Sequence, residues 1–348
     1  MRIEQLTFTR FIAAILIVVF HYGRDTFLFN NEYISFVSRQ ANVGVSYFFV
    51  LSGFVMIIAY GNRKHISFLR FLQNRLARIY PVYLFAIILV LYVTINNDIN
   101  FKDLSLNLTM IQSWFPEKAM TLNKPGWSLS VEFFFYILFP LLMNRLYSKT
   151  NFKTLTLWVV SFWVISQLIF HLFVFKIIEL TFYDMQDIFY HPIMHFNTFL
   201  IGNLAGLFFL KYQKKYTKNF RLEILLLLRL LIIILKFSLG LNYHNGLLSI
   251  IFAPLIVLIS FNHDRITKIV SHNLFVFLGE ISYGIYILQF PIWAILSNYR
   301  MRKYFGVNHD ENPLITFTVR LIILILIAGL SYNYFEKPLR NKIKRLRI

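Results

Sequence analysis

The residues of this sequence whose types and spacing could do chemistry are a histidine, a glutamate and three arginines, all set in segments otherwise built of hydrocarbon. Arg10 opens and His21 nearly closes the run RFIAAILIVVFHYG. Eleven residues part them, so on a helix they share one face, about 16 Å apart along the axis. Each alone also reads as a span-end residue, a snorkelling arginine or an interfacial histidine. Arg75 and Arg78 stand at helical spacing just before Pro81 in RLARIYPVYL. Two guanidiniums on one face suit a phosphate or diphosphate, because each presents a planar fork of donors; topogenic charge is the alternative. Glycine-rich phosphate loops do not occur, so such a ligand would rest mainly on arginine.

In WSLSVEFFFY (127–136), Glu132 sits among apolar neighbours. An ionised carboxylate in hydrocarbon is costly enough that it pairs, lines a wet cavity or reacts. Running inward from Trp127, the segment puts Glu132 about 7 Å below the outer surface, in the layer expected for His21. A carboxylate–histidine pair there would orient the imidazole and raise its basicity, giving a base able to activate a hydroxyl. The competing partner is an intramembrane cation, for which Arg229, Lys236 and Arg320 are candidates.

Other polar residues carry less. Ser52 and Gly53, in YFFVLSGFVM, read as a close-packing site or as the lining of a narrow tunnel. A serine hydrolase has little support, since there is no G-x-S-x-G turn and Ser52 lies deeper than His21. His191 and His195 in HPIMH lack the intervening glutamate of a zinc-protease motif, so no metal site is expected. Trp114, Phe115 and Trp127 read either as a sugar-stacking set or as an interfacial aromatic belt.

These residues must be positioned by membrane helices. The chain has 348 residues, is 57% hydrophobic and contains 39 Phe and 20 Tyr, well above the apolar share of a soluble domain. Apolar runs long enough to span a bilayer recur along it, near 6–22, 41–60, 79–95, 127–147, 154–175, 193–211, 222–239, 245–261, 274–296 and 314–335. The fold class is therefore an all-α polytopic membrane protein of about ten helices. The first run lacks a small-residue cleavage site and is read as a retained helix. With the N-terminus in the cytoplasm, the inside segments carry 22 Lys and Arg and the outside segments 9, so both termini are expected to be cytoplasmic. The net charge of +19 is then mostly topological, and no nucleic-acid partner is expected, because base-stacking modules are missing. With no cysteine, thiolate chemistry is excluded and the redox compartment is undetermined. Residues 1–335 form one expected membrane domain, and 336–348 a basic cytoplasmic tail read as stop-transfer and lipid contact.

Seven segments, in order, resemble the membrane acyltransferase-3 family, ten-helix enzymes that O-acylate bacterial surface sugars. They are the Arg10-to-His21 span, YFFVLSGF (47–54), RLARIYPVYL (75–84), WSLSVEFFFYILFP (127–140), FLIGNLAG (199–206), GEISYGIYILQFP (279–291) and YNYFEKPLR (332–340). The resemblance implies an acyl donor, usually acetyl-CoA, used as a substrate with no permanently bound cofactor. It implies His21 as the central catalytic residue, Arg75 and Arg78 as donor-binding residues, and functional importance for Arg10 and Glu132. Gln289 stands where many relatives have histidine, which puts an acid/base role there in doubt. Some relatives carry a fused extracytoplasmic domain, whereas this sequence ends twelve residues after Glu336, so acceptor recognition is expected from the membrane domain or a partner.

The combined expectation is a multi-pass protein of the bacterial inner membrane. It would move an acyl group from cytoplasmic acyl-CoA to a hydroxyl of a surface polysaccharide or lipid-linked sugar such as O-antigen, with polysaccharide-assembly proteins as further partners. Glu132 would orient His21, which would act as base for direct attack or itself accept the acyl group; sequence leaves both courses open. Acetyl against longer acyl is likewise open. The rival from another class is a transporter or flippase of lipid-linked saccharide, which would show paired halves or broken helices.

Overall fold

The computed structural model describes residues 3–94, 100–179, 181, 184–216, 218–237 and 239–346. Residues 95 and 238, at the ends of two expected spans, and 347–348 of the tail lie outside the described residues. Ten helices match the ten apolar runs: α1 (Glu4–Tyr22), α2 (Val43–Tyr60), α3 (Phe68–Val93), α4 (Trp127–Leu141), α5 (Phe152–Val174), α6 (Pro192–Tyr212), α7 (Arg221–Lys236), α8 (Ser249–Phe261), α9 (Asn273–Ile295) and α10 (Pro313–Ser331). A final helix, α11 (Lys337–Arg345), follows α10 through a π turn over Tyr332–Glu336. Among the described residues eight helical segments are long and apolar enough to cross a membrane. The other two expected spans are the shorter α7 and α8, of 16 and 13 residues. The chain is a multi-pass membrane protein.

The apolar bundle is held by aromatic packing and by close helix crossings. Phe135 of α4 stacks on Phe199 of α6 at 4.6 Å between ring centroids, and Phe71 of α3 on Phe139 at 5.3 Å. Offset and edge contacts of this kind add to the dispersion gained by burial. α2 and α6 approach closely because a β-carbon at Gly53 would strike the Phe199 carbonyl oxygen, and one at Gly202 the Val50 carbonyl oxygen. This small-residue packing replaces the hydrophobic drive that helices lack among lipid tails. Gly202→Val is therefore expected to force the pair apart, costing about 1–3 kcal/mol or more. The check is the melting temperature and monodispersity of the detergent-extracted protein, with Gly329→Ala as control, since its β-carbon meets only Phe277 at 3.6 Å.

α7 behaves differently. None of its residues is buried, so it presents its leucines to lipid at the rim of the bundle, and Arg229 and Lys236 are too peripheral to be counter-charges for a central carboxylate. Arg320 is also engaged elsewhere, donating from Nη2 to Asn298 Oδ1 at 2.8 Å.

The segment before α4 folds inward instead of lying on the surface. Its polar residues replace water with internal partners: Gln112 Nε2 donates to Gly126 O (2.8 Å), Ser113 Oγ to Trp127 O (3.1 Å) and Asn123 Nδ2 to Ile287 O (3.1 Å). Tyr83 OH donates to Asn107 O at 2.9 Å. Buried amides survive only when bonded in this way. The consequence is that α4 begins inside the bundle, with Trp127 only 5% exposed.

Candidate active site

Three cavities follow one another through the helices, named inner, middle and outer after the expected cytoplasmic side of the termini. The inner one, about 380 Å³, is bordered by Arg10, Arg78, Glu280, Tyr283, Glu336, Arg340 and Lys344. The middle one, about 100 Å³, is bordered by Arg10, Ser52, Arg75, Arg78, Glu132, Tyr136, Tyr283 and Tyr286. The outer one, about 320 Å³, is bordered by His21, Gln40, Asn42, Lys124, Trp127, Tyr190, Asn242, His244 and Tyr286. Inner and middle cavities share Arg10, Arg78 and Tyr283, while middle and outer share Val45 and Tyr286. The face shared by Arg10 and His21 on α1 thus runs along the series, one residue on the inner and middle cavities and the other on the outer one.

The sequence reading put Glu132 in the layer of His21; Trp127 borders the same cavity as His21, whereas Glu132, five residues further along α4, lines the middle cavity and not the chamber of His21. Its Oε1 accepts hydrogen bonds from Ser52 Oγ (3.0 Å) and Tyr136 OH (2.7 Å). It borders this cavity together with Arg10, Arg75 and Arg78. The expected Glu132–His21 pair is not formed, and the cations that Glu132 faces are Arg10 and Arg78 in place of Arg229, Lys236 or Arg320.

Arg75 is 9% exposed and packed among the rings of Tyr60 and Phe71, each 5.2 Å from its guanidinium carbon, and Tyr136 at 6.0 Å. The described ion pairs, Lys118–Asp103, Lys218–Glu223 and His309–Asp25, involve none of the three arginines. Three guanidiniums facing one cavity across a single carboxylate suit an anionic ligand with several acceptor oxygens.

His21 borders the outer cavity with its ring exposed to it. Its imidazole packs on the rings of Phe20 (5.2 Å) and Tyr22 (5.9 Å) and, among the described residues, makes no hydrogen bond, leaving its nitrogens open to the chamber. Opposite lie Trp127, Tyr190 and His244, the last two with ring centroids 4.8 and 5.3 Å from Trp127. Burial pushes the His244 imidazole, in the loop before α8, down to about 4, so it is neutral near pH 7. Aromatic faces with amides from Gln40, Asn42 and Asn242 can stack on and bond a polyhydroxylated ring.

Of the remaining sequence candidates, Ser52 lines the middle cavity, whereas Gly53 turns to α6 and serves packing. Trp127 lines the outer cavity. Trp114 lines none of the three and packs on Phe134 and His191, each 5.1 Å away. Gln289 is fully buried and donates to Tyr286 O at 2.7 Å. Sequence reasoning missed Tyr136, Tyr283, Tyr286, Glu336 and His244. Tyr136 had a signal, since it lies one turn from Glu132 on the same helix face.

The acyltransferase-3 family model, described as an acyltransferase domain, matches residues 3–333. The chain is 25% identical over 333 residues to an O-acetyltransferase, OatA, of Staphylococcus aureus, a match that covers 86% of this chain and 53% of the relative. A putative O-acetyltransferase of the same species is 24% identical over 332 residues, again 86% and 53%. An acyltransferase, MdmB, of Streptomyces mycarofaciens is 32% identical over 152 residues, 40% of this chain and 39% of the relative. The chain spans about half the length of the Staphylococcus relatives. No solved structure matches significantly.

Proposed function

The chain belongs to the acyltransferase-3 family, and on that premise we propose that it is a membrane O-acetyltransferase. It moves an acetyl group from acetyl-CoA, on the cytoplasmic side, to a hydroxyl of a surface polysaccharide or lipid-linked sugar such as O-antigen at the outer face of the bacterial inner membrane. The observation that carries this reading is the series of cavities, with the arginine cluster at one end and His21 in an aromatic, amide-lined chamber at the other. Arg75, Arg78 and Arg10 hold the donor's phosphates and the polar start of its arm. The pantetheine arm runs through the middle cavity and presents the thioester toward His21, covering the roughly 16 Å between Arg10 and His21.

We propose direct transfer, with His21 in the same chamber as the aromatic and amide side chains that suit a sugar. The imidazole takes the proton of the acceptor hydroxyl as its oxygen attacks the thioester carbon. The tetrahedral intermediate carries an oxyanion near Lys124, whose charge favours it. Collapse breaks the carbon–sulfur bond, forms the ester and expels the thiolate, which recovers a proton from the imidazolium. Glu132 is the counter-charge of the arginine cluster. The test is transfer of labelled acetyl from acetyl-CoA to surface polysaccharide in membranes with and without the protein. Base-labile label that depends on the protein supports the reading. Lipid-linked saccharide crossing the membrane with no label incorporated would replace it with the transporter.

A further inference from the structure

The basic C-terminal helix reads in the sequence as a lipid-contacting tail, but its packing makes it a wall of the inner cavity. Gln73 Nε2, on the first turns of α3, donates to Ile343 O and Leu346 O, both at 2.8 Å, and Arg70 Nη1 donates to Leu346 O at 3.1 Å. These bonds satisfy carbonyls that a helix C-terminus leaves unpaired, so they fix that end of α11 to α3. The other end continues from α10 through the π turn. Pinned at both ends, α11 has a set rotation, and Arg340 and Lys344, one turn apart, share the face that borders the cavity.

That cavity gathers four cations, Arg10, Arg78, Arg340 and Lys344, against the carboxylates of Glu280 and Glu336. Glu336 is 7% exposed, and its Oε1 has no hydrogen-bond partner. The Arg340 guanidinium also sits over the Tyr332 ring, 6.0 Å from its centroid, which restrains it in place. A surplus of positive charge in a cavity of about 380 Å³ suits a ligand with several anionic groups close together, more than the single phosphate of a simple anionic lipid headgroup.

We propose that α11 is part of the donor site, and that Arg340 and Lys344 bind phosphates of the nucleotide end of acyl-CoA together with Arg78. This rests on the donor assigned above. The cations then divide by role, Arg340, Lys344 and Arg78 taking the nucleotide phosphates while Arg10 and Arg75 line the path of the arm.

The test uses the full-length protein in nanodiscs of phosphatidylcholine, with and without phosphatidylglycerol. Binding of CoA is measured by titration, and transfer is measured with acetyl-CoA and with acetyl-pantetheine, which lacks the nucleotide. Arg340→Ala/Lys344→Ala is expected to weaken CoA binding and raise the KM for acetyl-CoA about tenfold or more. It should leave kcat within about twofold and kcat/KM for acetyl-pantetheine unchanged, in both lipids, and Arg340→Lys should restore part of the loss. Equal losses for acetyl-CoA and acetyl-pantetheine would make α11 only structural and overturn the proposal. A loss confined to nanodiscs with phosphatidylglycerol would assign the cations to a lipid headgroup and overturn it too. Unchanged CoA affinity in the variant sinks this inference alone, whereas wild type that binds no CoA sinks the donor assignment and this inference with it.

Discussion

His21→Ala is expected to abolish acetyl transfer, lowering the rate about 10²–10⁴-fold, the range removed with a general base, while CoA binds with wild-type affinity. The separation follows from geometry, since His21 borders the outer cavity and the arginine cluster the inner and middle ones. The His21 ring makes no hydrogen bond among the described residues and is exposed to its chamber, so truncating it unpairs no buried partner and should leave the fold intact. Transfer kinetics and CoA titration on one purified preparation check both halves. A variant with more than a tenth of wild-type kcat would show that another group takes the hydroxyl proton.

Glu132→Ala is expected to act on stability first. Among the described residues it removes the only carboxylate bordering the cavity that holds Arg10, Arg75 and Arg78, and it deprives the buried Tyr136 hydroxyl of its acceptor. Removing one partner of a buried charge pair costs about 3–5 kcal/mol. Because Glu132 makes no direct ion pair with the arginines among the described residues, a cost at or below the low end of that range is expected. Glu132→Gln keeps an acceptor oxygen for Ser52 and Tyr136 and isolates the charge. In both variants, added CoA should raise the melting temperature more than it does in wild type, because the donor's phosphates take over part of the missing negative charge. A variant with unchanged stability and a hundredfold lower kcat would return Glu132 to a catalytic role beside His21.

The bundle was legible because hydrocarbon spans are long and unmistakable, and even the lipid-facing leucines of α7 register as a span. The alignment of Arg10 and His21 was legible too, since it needs only the helical period. The depth of Glu132 was not. The cavity it faces is set by how α4 packs in the bundle, where the preceding segment is held by bonds from Gln112, Ser113 and Asn123 to Gly126, Trp127 and Ile287. A run of polar residues reads as a surface loop unless its partners are known. The place of Arg340 and Lys344 on the inner cavity was not legible for a related reason: Lys and Arg after the last span carry the same signature whether they face lipid headgroups or a cavity. The carbonyl bonds from Arg70 and Gln73 that anchor the end of α11 to α3 carry no sequence signature.

The division of donor and acceptor between opposite ends of the bundle is tested most directly by sidedness. Labelled acetyl-CoA, which does not cross a bilayer, is supplied to sealed inside-out and right-side-out vesicles that contain the protein and its native polysaccharide. Base-labile label on the polysaccharide is expected in the inside-out vesicles alone, and in neither kind with His21→Ala. Equal labelling from donor supplied to right-side-out vesicles, or undiminished labelling with His21→Ala, would contradict a transfer that starts at the arginine cluster and ends at His21.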